Sequence, residues 1–133
     1  GLEDIKNKVT FMQGDACNLK DIYTCFDLIF CSNLIDRLYY PQKFLDDIPS
    51  RINKDGLLVL LSPYTWLEDY TPKENWLGGY IKDNKEVKTL DTLKENLLVD
   101  FELLETIDVP FVIKETSRKY QHTISQMSIW KKK

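Results

Sequence analysis

The sequence predicts an α/β fold, because two segments that are nearly or fully apolar alternate with segments of helical spacing. The apolar segments are FDLIFCS, residues 26–32, and LLVLL, residues 57–61. Strands that are apolar throughout are typical of a sheet covered on both faces, and alternating strands and helices are typical of α/β proteins. The length of 133 residues suits one domain or a part of one.

A short strand and a helix are predicted on either side of residues 26–32. The strand covers residues 9–13, and the Gly-Asp pair at 14–15 ends it in a turn. The helix begins at Pro41, since proline is favoured in the first turn of a helix, and Pro49 disturbs its end. Its apolar positions follow helical spacing and are Phe44, Leu45, Ile48 and Ile52.

Four further features are predicted after the first helix. The Asp-Gly pair at 55–56 forms a turn after the helix, and residues 89–99 form a second helix. Residues 101–107 form a strand. Residues 111–116 either extend this strand or belong to a loop. The alternation over residues 123–130 predicts a last strand, antiparallel and at or near the edge of the sheet.

The composition narrows the class of protein. A net charge of -3 argues against a general nucleic-acid-binding protein, which is normally basic. No apolar run approaches the ~18 residues of a membrane span, and no signal peptide opens the chain. We therefore expect a cytoplasmic protein that binds neither nucleic acid nor membrane.

Metal chemistry is not expected either. Cys17, Cys25 and Cys31 are odd in number, form no CxxC pair and suit reduced thiols. His122 is the only histidine, and no local signature pairs it with a cysteine.

The segment SPYTWLEDYTPKENWLGG, residues 62–79, concentrates aromatic side chains without helical spacing or strand alternation. Two interpretations stay open for it. The segment is a lid over a bound substrate, or it packs beneath neighbouring helices as a small additional core.

Three segments together carry a resemblance to a known family: VTFMQGDACNL, FDLIFCSNLIDRLYYP and GLLVLLSPYTWLE. They resemble the second half of a Rossmann-like S-adenosylmethionine-dependent methyltransferase. The resemblance implies a mostly parallel sheet with an antiparallel last strand, lacking the N-terminal Gly-rich strand-turn-helix unit. It also implies S-adenosylmethionine as the cofactor, bound beyond the carboxyl ends of the strands.

The resemblance also implies cofactor-binding residues. The Asp15 carboxylate would accept a hydrogen bond from the adenine amino group, and the backbone at Ala16 would approach the ring. Cys31 and Ser32 would lie in the active-site turn. A simple turn at the end of a strand is the alternative explanation for Asp15.

A narrower resemblance is carried by NLIDRLYYP, LLSPYTWLEDYTPKENWLGG and PFVIKETSRKYQHTISQMSIW. These segments are similar to the methyltransferase domain of ovothiol-biosynthesis enzymes, which methylates an imidazole nitrogen of 4-mercaptohistidine. The implied substrate is a small, thiol-bearing histidine derivative.

That substrate suggests roles for residues on three segments. Asn33 or Asp36 would accept the imidazole N–H and orient the ring, while Arg37 has a structural role or pairs with Asp36. The aromatic lid would consist of Tyr64, Trp66, Tyr70 and Trp76. The charged ends of the substrate would meet Lys114, Glu115 and Arg118, unless these belong to an exposed connection.

The chain has five glycines and no GxG, so the turn that holds the methionine portion in this family is not present. A nicotinamide-binding enzyme is disfavoured for the same reason. The resemblance therefore implies a fragment that needs a complementary piece or self-associates through its open sheet edge. The alternative function is that of a catalytically incomplete scaffold module.

Overall fold

The computed structural model describes all 133 residues, and its largest element is a four-stranded sheet. The strands are β1 (Phe26–Ser32), β2 (Ile52–Ser62), β3 (Tyr80–Lys82), β4 (Lys85–Val87), β5 (Phe101–Thr116) and β6 (Lys119–Lys132). The α-helices are α1 (Leu2–Lys6), α2 (Pro41–Asp47) and α3 (Thr89–Leu97), and short 3-10 turns cover Ile35–Arg37, Ile48–Arg51 and Lys73–Asn75. No helix is long and apolar enough to cross a membrane.

The sheet is mixed, so the predicted mostly parallel, Rossmann-like sheet is wrong. Its strand order is β1-β2-β6-β5, and only β1 and β2 run parallel. β5 and β6 form a long hairpin, which is antiparallel because a short turn reverses the chain between its strands. β6 then pairs antiparallel with β2, which places two antiparallel pairs beside one parallel pair. β3 and β4 form a separate small hairpin that the sequence analysis did not predict.

Two local predictions in the first half of the chain were also wrong. Residues 9–13 are irregular and exposed, because β1 pairs only with β2 and gives these residues no strand to join. The Asp-Gly pair at 55–56 lies inside β2 and does not end the helix. Asp55 has φ 67°, and a Cβ at Gly56 would lie 2.6 Å from Cγ2 of Ile52 and 2.9 Å from the Asn53 carbonyl oxygen, so the tight local path of β2 itself requires the glycine.

α1 was not predicted, and the helix that begins at Pro41 is shorter than predicted. α2 ends at Asp47, so only Phe44 and Leu45 of the four apolar positions lie in it, while Ile48 lies in the following 3-10 turn and Ile52 begins β2; all four are buried. α3 lies within the predicted helix, and residues 111–116 extend β5. The last strand is antiparallel, but it lies between β2 and β5, so the edge strands are β1 and β5.

The core lies on one face of the sheet. Leu58 and Leu60 of β2, together with Trp130 of β6, meet α2 and α3 in a single cluster of buried side chains. Leu93 of α3 is fully buried in this cluster. Removing apolar atoms at such a position costs the transfer free energy of the lost methyl groups and leaves a cavity.

We expect Leu93→Ala to lower the free energy of unfolding by about 2–5 kcal/mol, measured by urea denaturation. Leu98→Ala is the matched control, because Leu98 is at the end of the same helix and 44% exposed. Equal losses in the two variants would contradict this description of the core.

The opposite face and the free edge of β1 expose apolar side chains. Leu28 and Phe30 of β1 are 56% and 55% exposed, and Phe11 in the segment before β1 is 93% exposed. β1 also has backbone groups with no partner strand along its outer edge. An uncovered apolar edge strand favours association with another chain.

We therefore expect the chain to self-associate with rising concentration, and Phe30→Lys to shift it towards the monomer. Size-exclusion chromatography with light scattering over a range of concentrations measures this. Ile81→Lys is the control, because Ile81 is 75% exposed on the separate β3–β4 hairpin. A monomeric wild-type chain, or equal effects of both substitutions, would show that the β1 edge does not drive association.

Candidate functional site

The candidate site lies where the parallel strands β1 and β2 end. Because parallel strands point the same way, their carboxyl ends meet at one edge, which is where α/β sheets bind ligands. Asn33 follows β1 with φ 53°, and Tyr64 follows β2 with φ 55°. The Asn33 N–H donates a 2.7 Å hydrogen bond to the Leu61 carbonyl, which ties the two strand ends together. Asparagine tolerates this left-handed conformation, whereas it is costly for Tyr64.

Asp36 is the buried charged residue of this site. It lies in the 3-10 turn after β1 and is only 1% exposed. Its Oδ2 accepts a 2.8 Å hydrogen bond from the Thr65 N–H, whereas its Oδ1 has no partner. A buried polar atom without a partner costs about 1–3 kcal/mol, so a ligand that donates to Oδ1 would gain this interaction.

Asp36 lines a small cavity of about 190 Å³, which we call the polar cavity. The turns after β1 and β2 form one wall, and the outer part of the β5–β6 hairpin forms the other. The lining residues are Asn33, Asp36, Arg37, Pro63, Thr65, Phe111, Ile113, Gln121 and Thr123.

Arg37 is the only cationic residue that lines the polar cavity. Its guanidinium donates from Nη1 to the Thr65 carbonyl at 3.0 Å and lies 4.6 Å from the centre of the Tyr70 ring. No carboxylate lies within salt-bridge distance of it, although Asp36 is its neighbour in the chain. The predicted pairing of Arg37 with Asp36 is therefore not formed, and the carboxylate and the guanidinium do not neutralise each other.

Tyr64 connects this site to the sheet. Its hydroxyl donates a 2.8 Å hydrogen bond to Oε1 of Gln126 in β6. Burial and then the negative charge of Asp36 raise the pKa of the Tyr64 phenol to about 12. Tyr64 is therefore a neutral donor at physiological pH.

A second, larger cavity of about 410 Å³ lies beside β1, and we call it the apolar cavity. It is bounded by the segment before β1, by β1 itself and by α2. The lining residues are Met12, Gly14, Ala16, Leu19, Tyr23, Phe26, Leu28, Ile29, Cys31, Leu34, Phe44, Ile48 and Arg51. Burial raises the pKa of the Cys31 thiol to about 12, so this sulfur stays protonated.

The two cavities share the turn at residues 31–36 as a wall. Cys31 and Leu34 line the apolar cavity, whereas Asn33 and Asp36 line the polar cavity. Two small molecules bound in these cavities would therefore lie on opposite sides of a single turn of the chain.

The Asp15-Ala16 pair lies beside the apolar cavity, in irregular backbone and not at the end of a strand. The Asp15 carboxylate accepts the Cys17 N–H at 2.9 Å through Oδ1 and the Tyr39 hydroxyl at 3.3 Å through Oδ2. A carboxylate has roughly four lone-pair sites, so capacity remains for a further donor. Ser32 is exposed, and its hydroxyl oxygen accepts a 3.4 Å hydrogen bond from the side-chain nitrogen Nδ2 of Asn33.

The structure divides the aromatic segment between the two interpretations. Trp66 is buried in the core, and its Nε1 donates a 2.9 Å hydrogen bond to the Thr89 hydroxyl. Trp76 is partly buried and donates to the Thr71 carbonyl at 2.8 Å. The packing interpretation therefore describes Trp66 and Trp76. Tyr70 is 51% exposed and packs against the Arg37 guanidinium, and Tyr64 is partly buried; neither tyrosine lines the polar or the apolar cavity.

The charged residues predicted to bind the ends of the substrate lie elsewhere. Lys114, Glu115 and Arg118 are exposed at the tip of the β5–β6 hairpin, where Glu115 forms a 2.7 Å ion pair with Lys119. They line neither of the two cavities. Sequence reasoning missed Gln126, because its partner Tyr64 is 62 positions away and no local spacing connects them.

No family model matches the chain. A solved structure from work on the conversion of a disulfide bond into a thioacetal group during echinomycin biosynthesis is similar, with a TM-score of 0.62 and 9% identity. The match covers 98% of this chain, which spans 60% of the length of that protein. At this identity the likeness concerns the fold alone.

These findings correct the family assignment. The chain was expected to be the C-terminal half of a Rossmann-like methyltransferase, closest to the ovothiol-biosynthesis enzymes. The observed sheet has a single parallel pair, and neither comparison supports that membership. Function must therefore be argued from the site itself.

The raised pKa of Tyr64 predicts an alkaline loss of stability. The stabilisation from its neutral phenol is present in full below pH 10, the ordinary tyrosine pKa, and is lost as the pH rises through about 12. We expect Tyr64→Phe to lose less unfolding free energy than the wild type between pH 10 and 12, measured by urea denaturation.

Tyr120→Phe is the control, since Tyr120 is 58% exposed and should keep the wild-type profile. Cys31 also titrates late, but it is present in all three proteins. Parallel profiles for Tyr64→Phe and the wild type would contradict the proposed environment of Tyr64.

Proposed function

We propose that this chain belongs to an S-adenosylmethionine-dependent N-methyltransferase that acts on a small, thiol-bearing histidine derivative. The observation that carries the proposal is the pair of cavities, one apolar and one polar, on either side of the turn at residues 31–36. Group transfer requires direct contact between the reacting atoms, so the methyl group of the cofactor must reach past this turn to the substrate nitrogen. The protein of the similar solved structure takes part in echinomycin biosynthesis, which favours a biosynthetic enzyme.

The apolar cavity fits the adenine end of the cofactor. Its volume of about 410 Å³ falls within the ~300–1,000 Å³ typical of ligand pockets. Ala16 and Leu34 offer apolar surface for a flat heterocycle, and Asp15 at the border is an acceptor for an exocyclic amino group. S-adenosylmethionine supplies an activated methyl group on a sulfonium.

The polar cavity suits an imidazole that must be oriented. Asp36 Oδ1 would accept the N–H of the ring and thereby direct the other ring nitrogen, with its free lone pair, away from the carboxylate. A neutral imidazole nitrogen is already a nucleophile, so alignment matters more than a strong base. Because Cys31 stays protonated, it does not compete as a nucleophile from the wall of the apolar cavity.

Cofactor binding is tested by calorimetric titration with S-adenosylhomocysteine. We expect saturable binding that Asp15→Ala weakens by about 2- to 12-fold, the loss of one hydrogen bond. Asp21→Ala is the control, because Asp21 is also exposed but, unlike Asp15, is not flanked by residues that line the apolar cavity. Absence of binding, or equal losses in both variants, would contradict the cofactor assignment.

The substrate role of Asp36 is tested with Asp36→Asn. The asparagine oxygen can still accept the Thr65 N–H, so the turn is kept, while an NH₂ group replaces the free acceptor Oδ1. We expect methyl transfer to 4-mercaptohistidine, followed by mass spectrometry, to slow by at least about 10-fold with unchanged S-adenosylhomocysteine affinity. If Asp36→Asn instead weakens S-adenosylhomocysteine binding while methyl transfer keeps its normal rate, the substrate role of Asp36 is refuted.

A second candidate function is a scaffold module that acts through association. The uncovered apolar edge of β1 favours it, because this edge also borders the apolar cavity through Phe26 and Leu28. Self-association combined with no affinity for S-adenosylhomocysteine would select this function over methyl transfer.

A further inference from the structure

We infer that Arg37 binds a carboxylate of the substrate, so that the polar cavity selects molecules that carry both an N–H donor and a carboxylate. The inference deepens the proposed function and rests on its assignment of the polar cavity to the substrate. Sequence reasoning had placed carboxylate recognition on Lys114 and Arg118, which lie at the hairpin tip.

The first observation is that two opposite charges line one cavity without pairing. Asp36 and Arg37 are consecutive residues, yet no carboxylate oxygen of Asp36 lies within 4.0 Å of a guanidinium nitrogen of Arg37; only the Asp36 backbone carbonyl does, at 3.5 Å from Nη1. A buried carboxylate beside a guanidinium would normally gain from direct contact. Their separation leaves room for a ligand that contacts both, its N–H donor on Oδ1 of Asp36 and its anion on Arg37.

The second observation is that the Arg37 guanidinium is held in place by one nitrogen only. Nη1 donates to the Thr65 carbonyl at 3.0 Å, and the Tyr70 ring lies 4.6 Å from the central carbon. Nε and Nη2 have no hydrogen-bond acceptor in the protein. These two nitrogens form the edge of the guanidinium that binds a carboxylate through two parallel hydrogen bonds.

The third observation concerns the remaining lining. Apart from Asp36 and Arg37, every residue that lines the polar cavity is uncharged. No other group in the lining could neutralise a substrate carboxylate. The volume of about 190 Å³ is below the ~300–1,000 Å³ of typical ligand pockets, which suits a molecule the size of an amino acid.

The experiment is a thermodynamic cycle that uses L-histidine and histamine as probes. They share the imidazole and the amine, and only L-histidine has the carboxylate. Dissociation constants are measured by NMR titration of the ¹⁵N-labelled chain, for the wild type, Arg37→Gln and Arg118→Gln. The control Arg118→Gln removes the same charge at the exposed hairpin tip.

We expect the wild type and Arg118→Gln to bind L-histidine at least about 10-fold more tightly than histamine, as a charge-assisted hydrogen-bonded pair would give. Arg37→Gln should bind both probes alike, with histamine affinity unchanged. The Arg37 Nε–H signal of the wild type should shift with L-histidine and not with histamine.

The inference is overturned if the wild type does not distinguish the probes, if it binds neither, or if Arg37→Gln keeps the preference. The comparison of probes on the wild type requires no variant, so it holds even if Arg37→Gln fails to fold. If the chain prefers L-histidine over histamine through Arg37 but shows no methyl transfer, the proposed function is refuted and the role of Arg37 is kept. Equal methyl transfer to 4-mercaptohistidine and its decarboxylated analogue would refute the role of Arg37 alone.

Discussion

The candidate site depends on one hydrogen bond, from the Thr65 N–H to Oδ2 of Asp36 at 2.8 Å. It joins the turn after β1 to the turn after β2, on residues 29 positions apart. Thr65 in turn accepts a hydrogen bond from Arg37, so the same contact places the guanidinium at the cavity. Because one carboxylate oxygen is used for this structural purpose, the other faces no protein donor and remains free for a ligand.

The mixed sheet explains why this site has two walls of different origin. The parallel pair β1–β2 supplies the strand-end turns, and the long β5–β6 hairpin extends beyond the end of β2 to supply Phe111 and Thr123. The same topology leaves β1 as an open edge, and the apolar cavity lies directly beside it. The two candidate functions, catalysis and association, therefore compete for neighbouring surfaces of one strand.

Local sequence patterns predicted the strands and helices that local apolar spacing defines. They did not predict the strand directions, which depend on pairing between segments that are distant in the chain. Residues 26–32 and 57–61 form strands as their apolar runs predict, although β1 is not covered on both faces, and α2 starts at a proline with helical spacing behind it. Strand direction depends on which segments meet, so the antiparallel β2–β6 pair could not be derived from composition. Asn33 and Asp36 could be named because polar residues directly after a buried strand lie at a sheet edge. The cavity wall from the hairpin and the unpaired state of Arg37 are tertiary properties without a local signal.

The most direct test of the two-cavity arrangement is a crystal structure of the chain with S-adenosylhomocysteine and L-histidine bound together. We predict the adenine against Ala16 and Leu34, and the imidazole N–H on Oδ1 of Asp36, with the turn at residues 31–36 between them. Both ligands in one cavity, or an Asp36 Oδ1 that contacts only protein groups and water, would contradict the account.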